Sequence, residues 1–335
     1  MSIEYPFPQV PAPGTTLEVA PGIRWLSMPL PFQLDHINLW LVEEDGGFTA
    51  VDTGIGNAET RALWERILGA KPVKRVVLTH YHPDHAGNAA WLCQRYGAEF
   101  WTTQGEYLTA HAVRSSGAGY TSDAVLSVFR RNGLDEERVA RMRSSRNRYA
   151  ELVPEFPLSY RRIIEGDEVP MGSERWRAIV GHGHAPEHLS LYSKNLNTVI
   201  AGDMLLSTIS TNVSVWSIDP EGDPLRLFLD SIARYRELPE DVLVLPSHGK
   251  PFRGAHRRVE QLETHHRDRL AELTDSLKTP KSAGELLSVL FRRPLDAHQT
   301  FFAMGEAIAH LHYLYYAGRA QRTLGNDGIM RYASP

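Results

Sequence analysis

Val76-Val77-Leu78-Thr79-His80-Tyr81-His82-Pro83-Asp84-His85-Ala86-Gly87 is the stretch on which the reading of this chain turns. His80, His82, Asp84 and His85 fall within six residues, straight after an apolar β-branched run and straight before a helix-like segment. Imidazole nitrogen and carboxylate oxygen are the ligands that a borderline cation such as Zn²⁺ prefers. On an extended turn, the i, i+2 spacing puts the rings of His80 and His82 on one side. Asp84 and His85 follow where a helix starts, placed to face a second metal close by. With 15 histidines in 335 residues, such a cluster is far rarer by chance than a lone pair.

Two cations need more donors than one loop carries, and three later segments supply them. Val180-Gly-His-Gly-His-Ala-Pro-Glu-His-Leu-Ser-Leu-Tyr192 holds His182, His184 and His188 ahead of an alternating strand. Val199-Ile-Ala-Gly-Asp-Met-Leu205 ends a short apolar strand on Asp203, and Val242-Leu-Val-Leu-Pro-Ser-His-Gly-Lys-Pro251 ends another on His248. Each donor stands at the C-terminal end of an expected strand, where α/β folds gather their chemistry.

Taken together, these residues resemble the pattern of the metallo-β-lactamase-fold hydrolases: H-x-H-x-D-H, then a histidine, a bridging aspartate and a final histidine. Asp52-Thr53-Gly54 also matches an early structural motif of that family. The resemblance covers about residues 15–255. It implies a four-layer αββα sandwich in which His80, His82 and His184 hold one metal and Asp84, His85 and His248 the other, with Asp203 between them. Relatives usually carry G-H-T-x-G-x followed by an alternating strand, and Gly183-His184-Ala-Pro-Glu-His-Leu-Ser-Leu191 aligns with that when His184 is the ligand. His182 is then a solvated loop residue. His188 falls where a supporting or substrate-facing histidine is often found, and is carried as a candidate substrate contact. Glu187 is a departure, standing where many relatives have glycine.

The rest of the composition is that of an ordinary globular protein: 42% hydrophobic, 23% charged, with a net charge of −4 that gives no global attraction to nucleic acid or acidic membranes. No apolar run has the length of a membrane span, and the N-terminus lacks a signal peptide's basic and apolar regions. Four prolines in the first fourteen residues suggest an extended arm. The single cysteine, Cys93, sits on the buried face of an expected helix ending before Gly97 and reads as a small core hydrophobe. No disulfide framework exists, and a cytoplasmic location is the expectation.

Strands are expected at residues 23–28, 36–42, 48–51 and 74–78, with a helix capped by Asn57. Two additions extend this core. Residues 104–159 form a helical insertion read as a cap, with Arg138, Arg141, Arg143, Arg146 and Arg148 in eleven residues. These are either a solvated helix face or a receptor for a substrate's anionic group, Arg143 and Arg146 being the candidates. Trp216 is a further candidate for lining the cleft. The domain division is placed at 255. Beyond it come a long polar helix, then two helices and a hairpin that resemble the winged-helix module of some hydrolases of this fold, the β-lactamase-like endoribonucleases among them. The segment 300–317 carries no lysine or arginine, so it suits packing or homodimer formation rather than DNA phosphates.

The expected activity is that of a binuclear hydrolase acting through a metal-bound hydroxide, with Asp84 orienting the water. The two ions are read as Zn²⁺, with Fe or Mn as substitutes used within the fold. The substrate reading is a small molecule: a carboxylic ester or thioester such as an acyl-CoA-like anionic conjugate. The alternatives are an endoribonuclease or phosphodiesterase, and an iron-dependent oxidoreductase of the same fold.

Overall fold

The strands expected ahead of the metal loop form a meander. In the computed structural model, which describes residues 2–32, 34–117, 119–143 and 148–335, β1 (Thr16–Ala20), β2 (Ile23–Pro29), β3 (His36–Glu44) and β4 (Gly47–Val51) pair antiparallel in chain order. β5 (Val73–Val77), β6 (Glu99–Thr102) and the two-residue β7 (Arg161–Arg162) then add in parallel. Parallel neighbours need crossovers. α1 (Ala58–Leu68) supplies the first, α2 (Pro83–Ala86) with α3 (Ala89–Tyr96) the second, and a long excursion beginning with α4 (Gln104–Arg114) the third. The Asn57 side chain caps α1 as expected, accepting the Thr60 N–H at 2.7 Å.

The second sheet runs β8 (Glu168–Met171), β9 (Glu174–Gly181), β10 (His188–Ser193), β11 (Thr198–Gly202) and β12 (Leu243–Pro246), antiparallel except for the last pair. Its inner face meets the first sheet through Trp176, Leu189, Leu191 and Leu245 against Trp25, Trp40, Val77 and Trp101. The outer face of the first sheet packs on Trp64, Leu68, Ala89 and Leu92 of α1 and α3. Residues after Ser231 cover the outer face of the second: Arg234 donates to the Val180 carbonyl (2.9 Å), and the Tyr235 hydroxyl pairs with Ser190 (2.6 Å). This is the αββα layering expected.

The chain divides into two compact units, each built from three separate segments. The sandwich unit comprises Met1–Ser115, Arg148–Thr211 and Ser231–Val259. The other comprises Ser116–Asn147, Asn212–Asp230 and Glu260–Pro335, so most of the insertion read as a cap groups with the C-terminal segment. It holds α5 (Ser122–Arg131), α6 (Glu136–Arg143), α10 (Ala283–Leu290), α11 (Ala297–Tyr316) and the hairpin β13 (Gln321–Leu324)–β14 (Met330–Ala333). The reason is local. Gly284 N–H bonds the Asn132 carbonyl (3.0 Å), and a Cβ on Gly284 would stand 2.0 Å from the Gly133 oxygen. The turn between α5 and α6 is therefore pressed onto the start of α10. Three further helices, α7 (Tyr149–Leu152), α8 (Pro224–Ala233) and α9 (Ala255–Ser276), complete the order, with α8 and α9 contributing to both units. No helix among the described residues is long and apolar enough to cross a membrane.

Candidate metal centre

Asp52 follows β4, and its φ of 63° turns its carboxylate beneath the loop that follows β5. Oδ1 accepts the Thr79 N–H and Oδ2 the Thr79 hydroxyl, both at 2.8 Å, and Oδ2 also faces His85 Nδ1 at 2.8 Å. With Nδ1 committed to Asp52, His85 turns its Nε2 inward, buried and without a hydrogen-bond partner. Thr53 closes the same corner, its N–H and hydroxyl both donating to the His85 carbonyl.

Around this corner the donors converge in two groups, His80, His82, His184 and Asp203 in one, Asp84, His85 and His248 in the other. His80 Nε2 lies 2.9 Å from His82 Nδ1 and 3.2 Å from His184 Nε2, which is itself 3.4 Å from Asp203 Oδ2. The other Asp203 oxygen, Oδ1, stands 3.6 Å from His85 Nε2 and 3.8 Å from His248 Nε2. His248 Nε2 is also 3.4 Å from Asp84 Oδ2. Asp203 thus presents one oxygen to each group. His248 is placed from the first sheet: its Nδ1 bonds the His36 carbonyl (3.1 Å), and the Asn38 amide donates to the carbonyls of Pro246 and Gly249.

The charges show what such a site demands. Burial drives His82 down to about 3 and His80 well below its ordinary range, so both rings are neutral and offer lone pairs. Burial also opposes charge on His85, yet Asp52, Asp84 and Asp203 outweigh it and raise the ring to about 10. Asp84 is held near 2: burial would raise it, but His85 and His248 prevail. Asp203 likewise stays well below the carboxylate range against its burial, held by His248, His85 and His184. Imidazole nitrogens packed within 3.2 Å of one another, with His85 Nε2 and Asp203 Oδ1 buried without hydrogen-bond partners, fit divalent cations between them.

The remaining candidates separate. His182 is outside the cluster, its Nδ1 on the Pro186 carbonyl at 2.6 Å. His188, carried as a candidate substrate contact, is wholly buried, with its ring centroid 4.8 Å from that of His80. Its Nε2 accepts the Asp203 N–H at 3.0 Å, and a Cβ on Gly202 would come within 2.5 Å of its ring, so it supports the turn that presents Asp203. Trp216 packs on Phe301 within the second unit, ring centroids 5.5 Å apart. Arg143 pairs with Asp123 at 3.2 Å, while Arg138, Arg141 and Arg148 meet Asp135, Glu137 and Glu151. These four arginines are solvated and paired close by in the chain rather than gathered as an anion receptor, and Arg146 lies outside the described residues. Cys93 is half-buried with its thiol pushed up to about 12 by burial, consistent with a packing role. The sequence reading missed Asn38, Tyr149 and Glu106, polar residues that hold the ligand loops from behind.

The Metallo-beta-lactamase superfamily model matches residues 33–248. The chain belongs to that superfamily. A second model, for a metallo-beta-lactamase-like C-terminal domain, matches residues 270–335. Among superfamily structures, a beta-lactamase domain protein from Burkholderia ambifaria is 46% identical with a TM-score of 0.92, covering 99% of this chain and 98% of that one. A metallo-beta-lactamase family protein from Thermus thermophilus is 30% identical with a TM-score of 0.81, covering 95% and 100%. A probable metallo-hydrolase of Bacillus subtilis is 25% identical over 302 residues, 86% of this chain and 91% of that protein.

Proposed function

We propose that this protein is a binuclear metal-dependent hydrolase of carboxylic esters or thioesters. The observation that carries the reading is Asp203, with one buried oxygen turned to each of two donor groups. His80, His82 and His184 would hold one cation, Asp84, His85 and His248 the other, and Asp203 both. When bound, such a pair lowers the pKa of a water and polarises the scissile carbonyl. Asp84 would help hold the second cation, and its carboxylate would orient the attacking water. Asp52 fixes the His85 tautomer, and His188 fixes the backbone of Asp203. The nitrogen and oxygen donor set favours Zn²⁺, with iron and manganese as substitutes.

A small acyl substrate, an ester or thioester such as an acyl-CoA-like conjugate, fits better than RNA. The net charge is −4, and α11, the helix that a winged-helix reader would present, contains no lysine or arginine. Its inward face, Met304, Ile308, Leu311 and Leu314, is buried. Metal analysis of the purified protein, joined to a screen of thioesters, esters, lactones, phosphodiesters and RNA, tests the proposal. Two equivalents of zinc with turnover of a thioester or ester is the expected result. Turnover of RNA or a phosphodiester alone, or a single iron with oxidative chemistry, would overturn it.

A further inference from the structure

Glu106 lies in the first turn of α4, wholly buried, and among the described residues no lysine or arginine pairs with it. Its two oxygens serve two different loops. Oε2 accepts the backbone N–H of Tyr81 at 2.9 Å, and Oε1 accepts that of Glu187 at 2.6 Å. Tyr81 is the residue between His80 and His82, and Glu187 stands between His184 and His188. The link is returned from the other side: Glu187 Oε2 accepts the Gly105 N–H (2.8 Å), and its carbonyl accepts the Thr103 hydroxyl (2.7 Å).

Thr103-Gln-Gly-Glu106 has the pattern of a capping box, in which threonine and glutamate would satisfy the ends of their own helix. Here Thr103 makes no side-chain cap bond, and both partners have been exchanged with the loop after β9. Glycine at 105 permits the approach, because a Cβ there would stand 2.9 Å from Glu187 Cγ. The remaining backbone group of Tyr81 is also held, its carbonyl accepting the Tyr149 hydroxyl at 2.5 Å.

A carboxylate buried against peptide N–H groups is costlier than an apolar side chain of the same size, so its bonds must be made well to be tolerated. Two acceptors on one rigid group fix the separation of two peptide units and of the rings beside them. We infer that Glu106 is a positioning residue that sets the spacing between the His80–His82 turn and the His184 loop, and hence the opening of the three-histidine set. The inference rests on the proposed function, since the opening matters only if that set holds a cation. Glutamine cannot substitute: it has one acceptor oxygen, and its NH₂ would meet a peptide N–H.

The test is Glu106→Gln beside wild type and Leu68→Ala, a buried α1 residue whose loss gives a stability reference away from the ligand loops. Cation affinity is read by zinc competition against a chelating dye, and the Tyr81 and Glu187 amides by hydrogen exchange in the metal-free protein. Glu106→Gln should exchange faster at one or both amides and lose about 10–100-fold in affinity for one of two zinc equivalents. Leu68→Ala should keep both affinities. Wild-type affinity in Glu106→Gln, with or without faster exchange, overturns the positioning role, as does an equal loss in Leu68→Ala. A wild-type chain that takes up neither zinc, iron nor manganese overturns the proposed function itself, and that failure is visible without any substitution.

Discussion

The chain writes H-x-H three times, at His80–His82, His182–His184 and His310–His312, and the first and last copies end differently. At His80–His82 the backbone is extended, His82 having ψ of 148°, and the rings share one side with centroids 4.6 Å apart. At His310–His312 the same spacing lies in α11, where two residues turn the helix by about 200°. Those rings part: His310 Nε2 faces His266 Nδ1 at 3.2 Å, and His312 Nδ1 donates to the Gly222 carbonyl at 2.8 Å. Both sets are buried. What differs is the anionic company. Asp52, Asp84 and Asp203 surround the first, whereas no carboxylate hydrogen-bonds His266, His310 or His312 among the described residues. Spacing alone does not make a cation site; lone pairs pressed together beside carboxylates do.

The largest expected effect separates the two sets by activity. Asp84→Asn keeps the shape of the side chain but weakens metal binding and water orientation, so turnover should fall by about 10²–10⁴-fold with the fold intact. His310→Gln, in the other set, should leave turnover within about twofold. Steady-state rates on an ester or thioester substrate check both, and an Asp84→Asn enzyme with full metal and full turnover would remove that carboxylate from the mechanism.

Metal removal comes next. Cations held at a thousandfold over their dissociation constant contribute about 4 kcal/mol to whatever binds them. Chelation should therefore speed amide exchange at residues 79–88 and 182–189 and leave the α9–α11 region around His266 and His310 unchanged. Equal loosening of both regions would break the contrast.

The smallest effect is one of pH. Burial lowers His266 to about 3 and His310 to about 4, from an ordinary 6.5. Between those values the unfolded chain binds more protons than the folded one, so this contribution is full above about 6.5 and is lost as pH falls toward 4. Glu306, raised by burial to about 7, acts in the opposite sense, its contribution falling as pH rises toward 7. Arg269 and His265 also act on these groups. His310→Gln should flatten the acid side of the stability profile by up to about 1.4 kcal/mol per pH unit. Denaturant titrations from pH 4 to 7 that show the same slope in wild type and variant would contradict it.

Much of the sandwich and its donor set is legible because each donor ends a strand: Asp52 after β4, His80 after β5, Asp203 after β11 and His248 after β12. Donors at strand ends leave a sequence mark, an apolar β-branched run followed by a polar residue. Supporting residues leave none. Glu106 looks like the closing residue of a capping box, and Asn38 like one polar residue in an apolar strand, yet both reach other segments. The bond of His188 is equally silent in the sequence, its partner being the backbone N–H of Asp203 rather than anything nearby in the chain. Arg138, Arg141, Arg143 and Arg148 advertise an anion site in the sequence, whereas their pairing with Asp135, Glu137, Asp123 and Glu151 is visible only in the structure. The grouping of Ser116–Asn147 with the C-terminal segment is announced by no local pattern, because the contact of Gly133 with Gly284 joins segments about 150 residues apart.

The most direct test of the central claim is a crystal structure of the metal-loaded protein with anomalous scattering recorded on both sides of the metal edge. The account predicts two anomalous peaks, one within about 2.0–2.2 Å of His80, His82 and His184 and the other of Asp84, His85 and His248, with Asp203 touching both. A single peak, or one bound through His182 with His184 turned away, would contradict it.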